Sequence, residues 1–147
     1  MELKEIKSLS DTELIWHCIE PIINQTRAKD IRTKMDVYKN LTEAYRSLFM
    51  FQVLYGHAYN GMKEFFAHIS YLADAMDIWS AFKSAFNYFG DEKMSCIINS
   101  IKEAYYKYKQ DTDFSLDELD VLYKEQIDKS VKLIADYIRN NLSLFAD

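Results

Sequence analysis

Asn40-Leu41-Thr42-Glu43-Ala44-Tyr45-Arg46-Ser47-Leu48-Phe49-Met50-Phe51-Gln52-Val53-Leu54-Tyr55 is the stretch that decides between a helical and a mixed fold. Its second half, residues 48–55, is apolar nearly all round, which means burial on several sides. By periodicity alone such an octet fits a buried strand as well as a buried helix. The start of the segment settles the choice. Asn40 stands three residues before Glu43, the pattern of a small polar cap followed by an acid. A helix-compatible run longer than about ten residues follows, beyond the usual reach of a strand.

The same signature recurs outward in both directions. Ser10-Asp11-Thr12-Glu13 reads as a capping box, with Leu14, Ile15, Cys18, Ile19, Ile22 and Ile23 at helical spacing behind it. Pro21 lies within this run and predicts a kink or break near Glu20. Residues 27–39 are polar and read as a connection. On the other side, residues 56–61 mark a break and residues 62–69 a short amphipathic piece. Leu72, Ala75, Met76, Trp79, Phe82, Phe86 and Phe89 then fall on one helical face, with Gly90 where a C-terminal cap belongs. Asp91 caps a further helix through Met94, Ile97, Ile98, Ile101, Tyr105 and Tyr108, on which Glu103 and Lys107 are spaced for an ion pair. Ser115-Leu116-Asp117-Glu118 reads as another capping box. The pattern behind it runs through Leu119, Leu122, Ile127, Ile134, Ile138 and Leu142, as one long helix or as two.

Composition agrees. The chain has 3 Gly and 1 Pro among 147 residues, too few for the frequent turns of a sandwich or barrel. Its 49% apolar content is ample for one core, and 28% charged residues cover the outside. The expectation is an all-α, single compact domain of about six helices. Residues 1–39 would form an N-terminal helix and connection, and residues 40–147 the helical core. The charged start (Glu2, Lys4, Glu5, Lys7) lacks the apolar region of a signal peptide, and no run is long and apolar enough to span a membrane. Both point to a soluble, cytoplasmic protein. Cys18 and Cys96 stand alone and read as two buried thiols.

One segment, Val53-Leu54-Tyr55-Gly56-His57-Ala58-Tyr59-Asn60-Gly61-Met62-Lys63-Glu64-Phe65-Phe66, carries a resemblance. So do Leu119-Asp120-Val121-Leu122-Tyr123 and Tyr137-Ile138-Arg139-Asn140-Asn141-Leu142-Ser143-Leu144-Phe145. Together they make residues 40–146 similar to a bacterial family of small all-α proteins named for an acidic DNA-mimic member. In that family the central segment reads as an apolar helix, Asn-Gly-Gly, an aromatic and Glu-Gln. Met62 replaces the second Gly here, and Phe65 stands at the expected Gln. Asn60 and Gly61 retain the turn motif, for which both residue types tolerate positive φ. The resemblance implies a helical protein that presents acids to a basic partner, with no catalytic residues to carry over.

Charge offers the strongest surface feature. Residues 111–128 hold seven acids (Asp111, Asp113, Asp117, Glu118, Asp120, Glu125, Asp128) against Lys124, a charge of -6 in a chain of -5. Either this is a solvated face with acids favoured at a helix start, or it binds a protein partner. In the second case Asp113, Asp117, Glu118 and Asp120 are the candidate contacts, and a basic, nucleic-acid-binding or regulatory protein is the partner class. Duplex DNA carries about one charge per 1.7 Å of axis, so -5 makes a sparse mimic. Direct nucleic-acid binding is not expected, since Lys102, Lys107 and Lys109 beside Tyr105, Tyr106 and Tyr108 form the nearest approach to a basic-aromatic patch.

The alternative is a small-ligand-binding domain or enzyme built around His57, Asn60, Glu64 and His68, with the two histidines facing each other across the turn. His17 and Cys18 are sequence neighbours, about 100° apart on a helix, and make no nucleophile–base pair. No metal-ligand spacing occurs. The chain is therefore read as a non-enzymatic protein without metal or cofactor, with a homodimer as the expected assembly because excess aromatics can cover a dimer face.

Overall fold

The computed structural model describes residues 3–145. Among them are eight α-helices and no strand: α1 (Leu3–Ser8), α2 (Asp11–Thr26), α3 (Ile31–Lys39), α4 (Glu43–His57), α5 (Met62–Ala75), α6 (Ile78–Tyr88), α7 (Glu92–Gln110) and α8 (Asp117–Asn140), followed by a 3-10 turn at Leu142–Leu144. The all-α class holds, and the number of helices is larger than expected. Contacts run from α2 to α4, α6, α7 and α8 and back to α2, so five helices close a ring. Phe51, Phe82, Phe86, Leu14, Leu48 and Met94 of these helices are fully buried, as is Phe65 of α5. α5 lies against α4 and α6, and α3 leans mainly on α2.

The extra helices are α1 and α3, and the two pieces expected at residues 62–69 and 72–89 have shifted bounds. The apolar face expected to run unbroken from Leu72 to Phe89 is cut at residues 76–77. Asp77 Oδ1 accepts from the Ser80 N–H at 3.1 Å, and Ser80 Oγ donates to Oδ2 at 2.7 Å. That cap starts α6 anew, and Met76 is extended (φ -153°, ψ 165°). Residues 31–39, expected to be a connection, form α3, with Asp30 Oδ1 accepting from the Thr33 N–H at 2.8 Å.

Other corrections are local. α2 continues through Pro21 without ending. Pro21 and His17, whose carbonyl loses its donor, are both exposed, so water can serve that carbonyl. Buried Ile19 and Ile22 pin the helix on both sides of the proline. Thr42, not Asn40, caps α4 and accepts from the Tyr45 N–H at 3.3 Å. Ser115 does not form a capping box. Leu116 is the N-cap of α8, and Ser115 Oγ accepts from the Asp117 N–H at 3.4 Å. α8 is a single helix of 24 residues. Lys107 lies over the Phe114 ring, 5.6 Å from its centroid. Cys96 is exposed and Cys18 half-buried, so neither is the buried thiol expected.

Asp91 does cap α7, as its position in the sequence implies, and does more. It is 2% exposed. Oδ1 accepts from the Met94 N–H at 3.0 Å and from Gln126 Nε2 at 3.3 Å, and Ser130 Oγ donates to Oδ2. A buried carboxylate is tolerated where its lone pairs are filled in this way. At the other end of α8, Arg139 donates to Asp11 at 2.6 Å and to the Leu9 carbonyl at 3.1 Å.

Candidate functional site

The acidic segment divides once it is folded. Asp113, Asp117 and Glu118 are exposed on the α7–α8 loop and the first turn of α8. Asp120 is half-buried and turned toward the α4–α5 turn, where its Oδ1 accepts from the Met62 N–H at 2.8 Å. Gly61, the N-cap of α5, has no side chain with which to cap, so Asp120 caps that helix from 58 residues away. Asp120 therefore has a structural task and is not a free contact like the other three. Gly61 has φ +112° and ψ 172°, a region reserved for glycine. Asn60 is exposed and does not share the positive φ.

His57, at the end of α4, and His68, in the middle of α5, stack with centroids 4.7 Å apart and planes inclined by 22°. The pair faces across the turn as the sequence suggests. Glu64 is 3.6 Å from His68 Nε2. Burial of the His57 ring, then the nearby His68 and Lys34, lower its pKa from the ordinary 6.5, against a smaller opposing pull from Glu64. Of the four residues expected to form a site here, His57, His68 and Glu64 come together, and Asn60 is exposed and outside the stack.

A cavity does open on the other side of His57. About 400 Å³ lies between α2, α3, α4 and α5, within the range of ligand pockets. Its walls are mainly apolar: Trp16, Ile23, Met35, Phe49, Met50, Val53, Leu72, Met76 and Ile78. Arg27, Lys34, Gln52, His57 and Tyr71 supply the polar groups, and no carboxylate lines it. Lys34 Nζ donates to Tyr71 Oη at 2.8 Å and sits 5.1 Å from the centroid of that ring. A second hollow of about 320 Å³, between α2, α4 and α8, shares Trp16 and Gln52 with the first.

α3 forms one wall. It has no buried residue; Ile31, Lys34, Met35, Val37 and Tyr38 are half-buried. The chain enters it through Ala28, which has φ +60°, the only non-glycine positive φ among the described residues. That conformation costs an alanine roughly 1–2 kcal/mol.

Compared with known proteins, the chain matches no family model, no curated protein and no solved structure. The functional reading therefore rests on the site itself.

The cleft's charged groups, Arg27 and Lys34, fall in the stretch read from sequence as a connection. A signal was available there. Ile31, Met35 and Tyr38 repeat at i, i+4 and i+7 behind the cap residue Asp30, which is the spacing of one helical face. No group of three or more His, Cys, Asp or Glu side chains among the described residues could hold a metal ion. No helix there is long and apolar enough to cross a membrane.

Proposed function

We propose that this chain is a non-enzymatic, cytoplasmic binding protein that takes a small, largely apolar molecule into the cleft beneath α3. The observation that carries this reading is the cavity of about 400 Å³, with mainly apolar walls and polar residues few among its lining. Ligand sites have this composition, in which apolar area supplies affinity and a few polar groups set orientation. The test is titration with a neutral, environment-sensitive dye such as Nile red, beside a Gly56→Phe variant. Gly56 is exposed and lines the cleft, and a Cβ there meets only the flexible Gln52 amide, at 3.3 Å. A phenyl group built from this exposed position is expected to intrude on the cleft. Saturable one-to-one binding by the wild type, weakened at least about tenfold in Gly56→Phe, supports the reading. Equal binding by both proteins, or none by the wild type, refutes it.

A second reading keeps the acidic surface as a protein-binding face. Asp113, Asp117 and Glu118 are exposed, and Val121 and Leu122 beside them are 55% and 36% exposed. A patch that joins charge to apolar area suits a basic, DNA-binding or regulatory partner, as the resemblance to the DNA-mimic family implies. Its test is retention of a partner at low but not high salt, lost in a variant carrying Asp113→Asn, Asp117→Asn and Glu118→Gln. Asp120 stays intact in that variant so that the fold is not also disturbed. Sedimentation of the wild type tests the expected homodimer.

A further inference from the structure

We infer that the ligand of the cleft is an amphipathic monoanion, an apolar chain or ring system ending in one acidic group, held by Lys34 and Tyr71. The inference rests on the cleft being a ligand site and adds the class of molecule that fills it.

The argument begins with charge. The protein has 23 acidic against 18 basic residues, yet the cleft is lined by two cations and no carboxylate. Neither Lys34 nor Arg27 forms an ion pair among the described residues. The nearest acids in sequence do not compensate them. Asp30 is committed to capping α3, and Asp36 is exposed outside the cleft. Lys34 is half-buried, its ammonium meets the exposed Tyr71 hydroxyl where solvent reaches, and it has no counter-ion, so an anionic ligand gains charge-assisted hydrogen bonds there, which are the strong ones.

Hydrogen-bond direction makes the site more specific. Lys34 donates to Tyr71 Oη, so the tyrosine oxygen acts as acceptor and its own proton is left to donate. The ammonium has two further protons. Lys34 and Tyr71 can thus donate side by side to the two oxygens of one carboxylate, with Arg27 on the same cleft to reinforce the charge. The apolar part of the ligand then lies against Met35, Phe49, Val53 and Leu72. Recognition of a cation by the same cleft would put like charges together.

The test compares ligands of equal length: decanoate, decyl sulfate, decanol and decylamine, each measured by displacement of the neutral dye below its micelle concentration. The anions are expected to bind about tenfold or more tightly than decanol, the scale of one charge-assisted hydrogen bond, and decylamine more weakly still. Lys34→Gln should bring the ratio of decanoate to decanol affinity down to about one, and Tyr71→Phe should weaken decanoate several-fold. Decanoate above decyl sulfate identifies the head as a carboxylate; the reverse order identifies a sulfate- or phosphate-like head. Decanol equal to decanoate, or decylamine the tightest of the four, overturns the inference but leaves the cleft as a ligand site. Failure of the dye and of all four ligands to bind removes both.

Discussion

Asp120 offers the sharpest test of how the folded chain uses its acids. Replacing it with alanine removes the acceptor of the Met62 N–H, a 2.8 Å bond that supplies the only side-chain cap of α5. Losing an N-cap costs about 0.5–2 kcal/mol, and a hydrogen bond to a charged group is worth about 1.5–3. Asp120 is only half-buried, so water will serve the freed N–H in part. The expected loss is therefore about 1–2 kcal/mol. For a domain of this size each kcal/mol lowers Tm by roughly 2–4 °C. Asp120→Asn keeps an acceptor oxygen and should lose about half as much. Asp117→Asn and Glu118→Gln, exposed in the same helix turn, should stay within about 0.5 kcal/mol. Urea denaturation of the four variants, analysed at constant m, measures the series directly. If Asp120→Ala proves no more destabilising than its exposed neighbours, the cap contributes nothing and the division of the acidic segment is wrong.

Three further outcomes follow from other sites. Asp91→Ala removes the cap of α7 and orphans two buried donors, Gln126 Nε2 and Ser130 Oγ; about 3 kcal/mol or more should be lost, and a drop below 1 kcal/mol by urea denaturation would contradict the burial of this cluster. Gly90 has φ +78° and nothing within 4 Å of an added Cβ, so Gly90→Ala meets backbone strain alone; it should cost about 1 kcal/mol, and Gly90→Asn less, in the same assay. The pH profile isolates His57: its pKa is lowered in the folded state, first by burial and then by His68 and Lys34, so the unfolded chain binds the proton more tightly. Stability is then full above the ordinary pKa of 6.5 and declines as pH falls below it toward the folded value. Thermal melts of wild type and His57→Asn across that window should diverge, and parallel profiles would show that His57 is not the group responsible.

Local signals were legible and their tertiary reuse was not. Ser10, Asp91 and Gly90 act where their sequence context puts them, because a cap bonds within three or four residues of itself. The break at Asp77 escaped notice because apolar spacing continues across it, while the Asp77–Ser80 cap that interrupts it is itself local. Helix α3 was lost for a different reason. It buries no residue completely, so its apolar face is diluted by Arg32, Thr33, Asp36 and Lys39 and reads as polar chain. Asp120 and Asp91 depended on partners 58 and 35–39 residues away, which no periodicity reveals. The His57–His68 stack was foreseeable because one short turn joins their helices; the cavity behind His57 was not, because α3 completes it.

The case for the cleft rests on where the fold leaves its costs unbalanced. Several polar groups that leave water elsewhere are answered, Asp91 by three donors, Asp120 by a helix N-terminus and Arg139 by Asp11 and a carbonyl, while Trp79 Nε1 and Gln126 Oε1 are buried without a partner. Around the cleft three features run the other way. Ala28 holds a left-handed backbone, Arg27 and Lys34 line apolar walls without an acidic partner, and α3 is only nine residues long with no fully buried side chain. A helix that short is marginal by itself and relies on packing. None of these features helps close the five-helix ring, which excludes α3. Backbone strain, uncompensated cations and a marginal helix coincide in this one concave place, which marks it as shaped for something other than stability. An amphipathic anion beneath α3 would answer two of the three at once, supplying the counter-charge for Lys34 and an apolar surface for Met35 to cover.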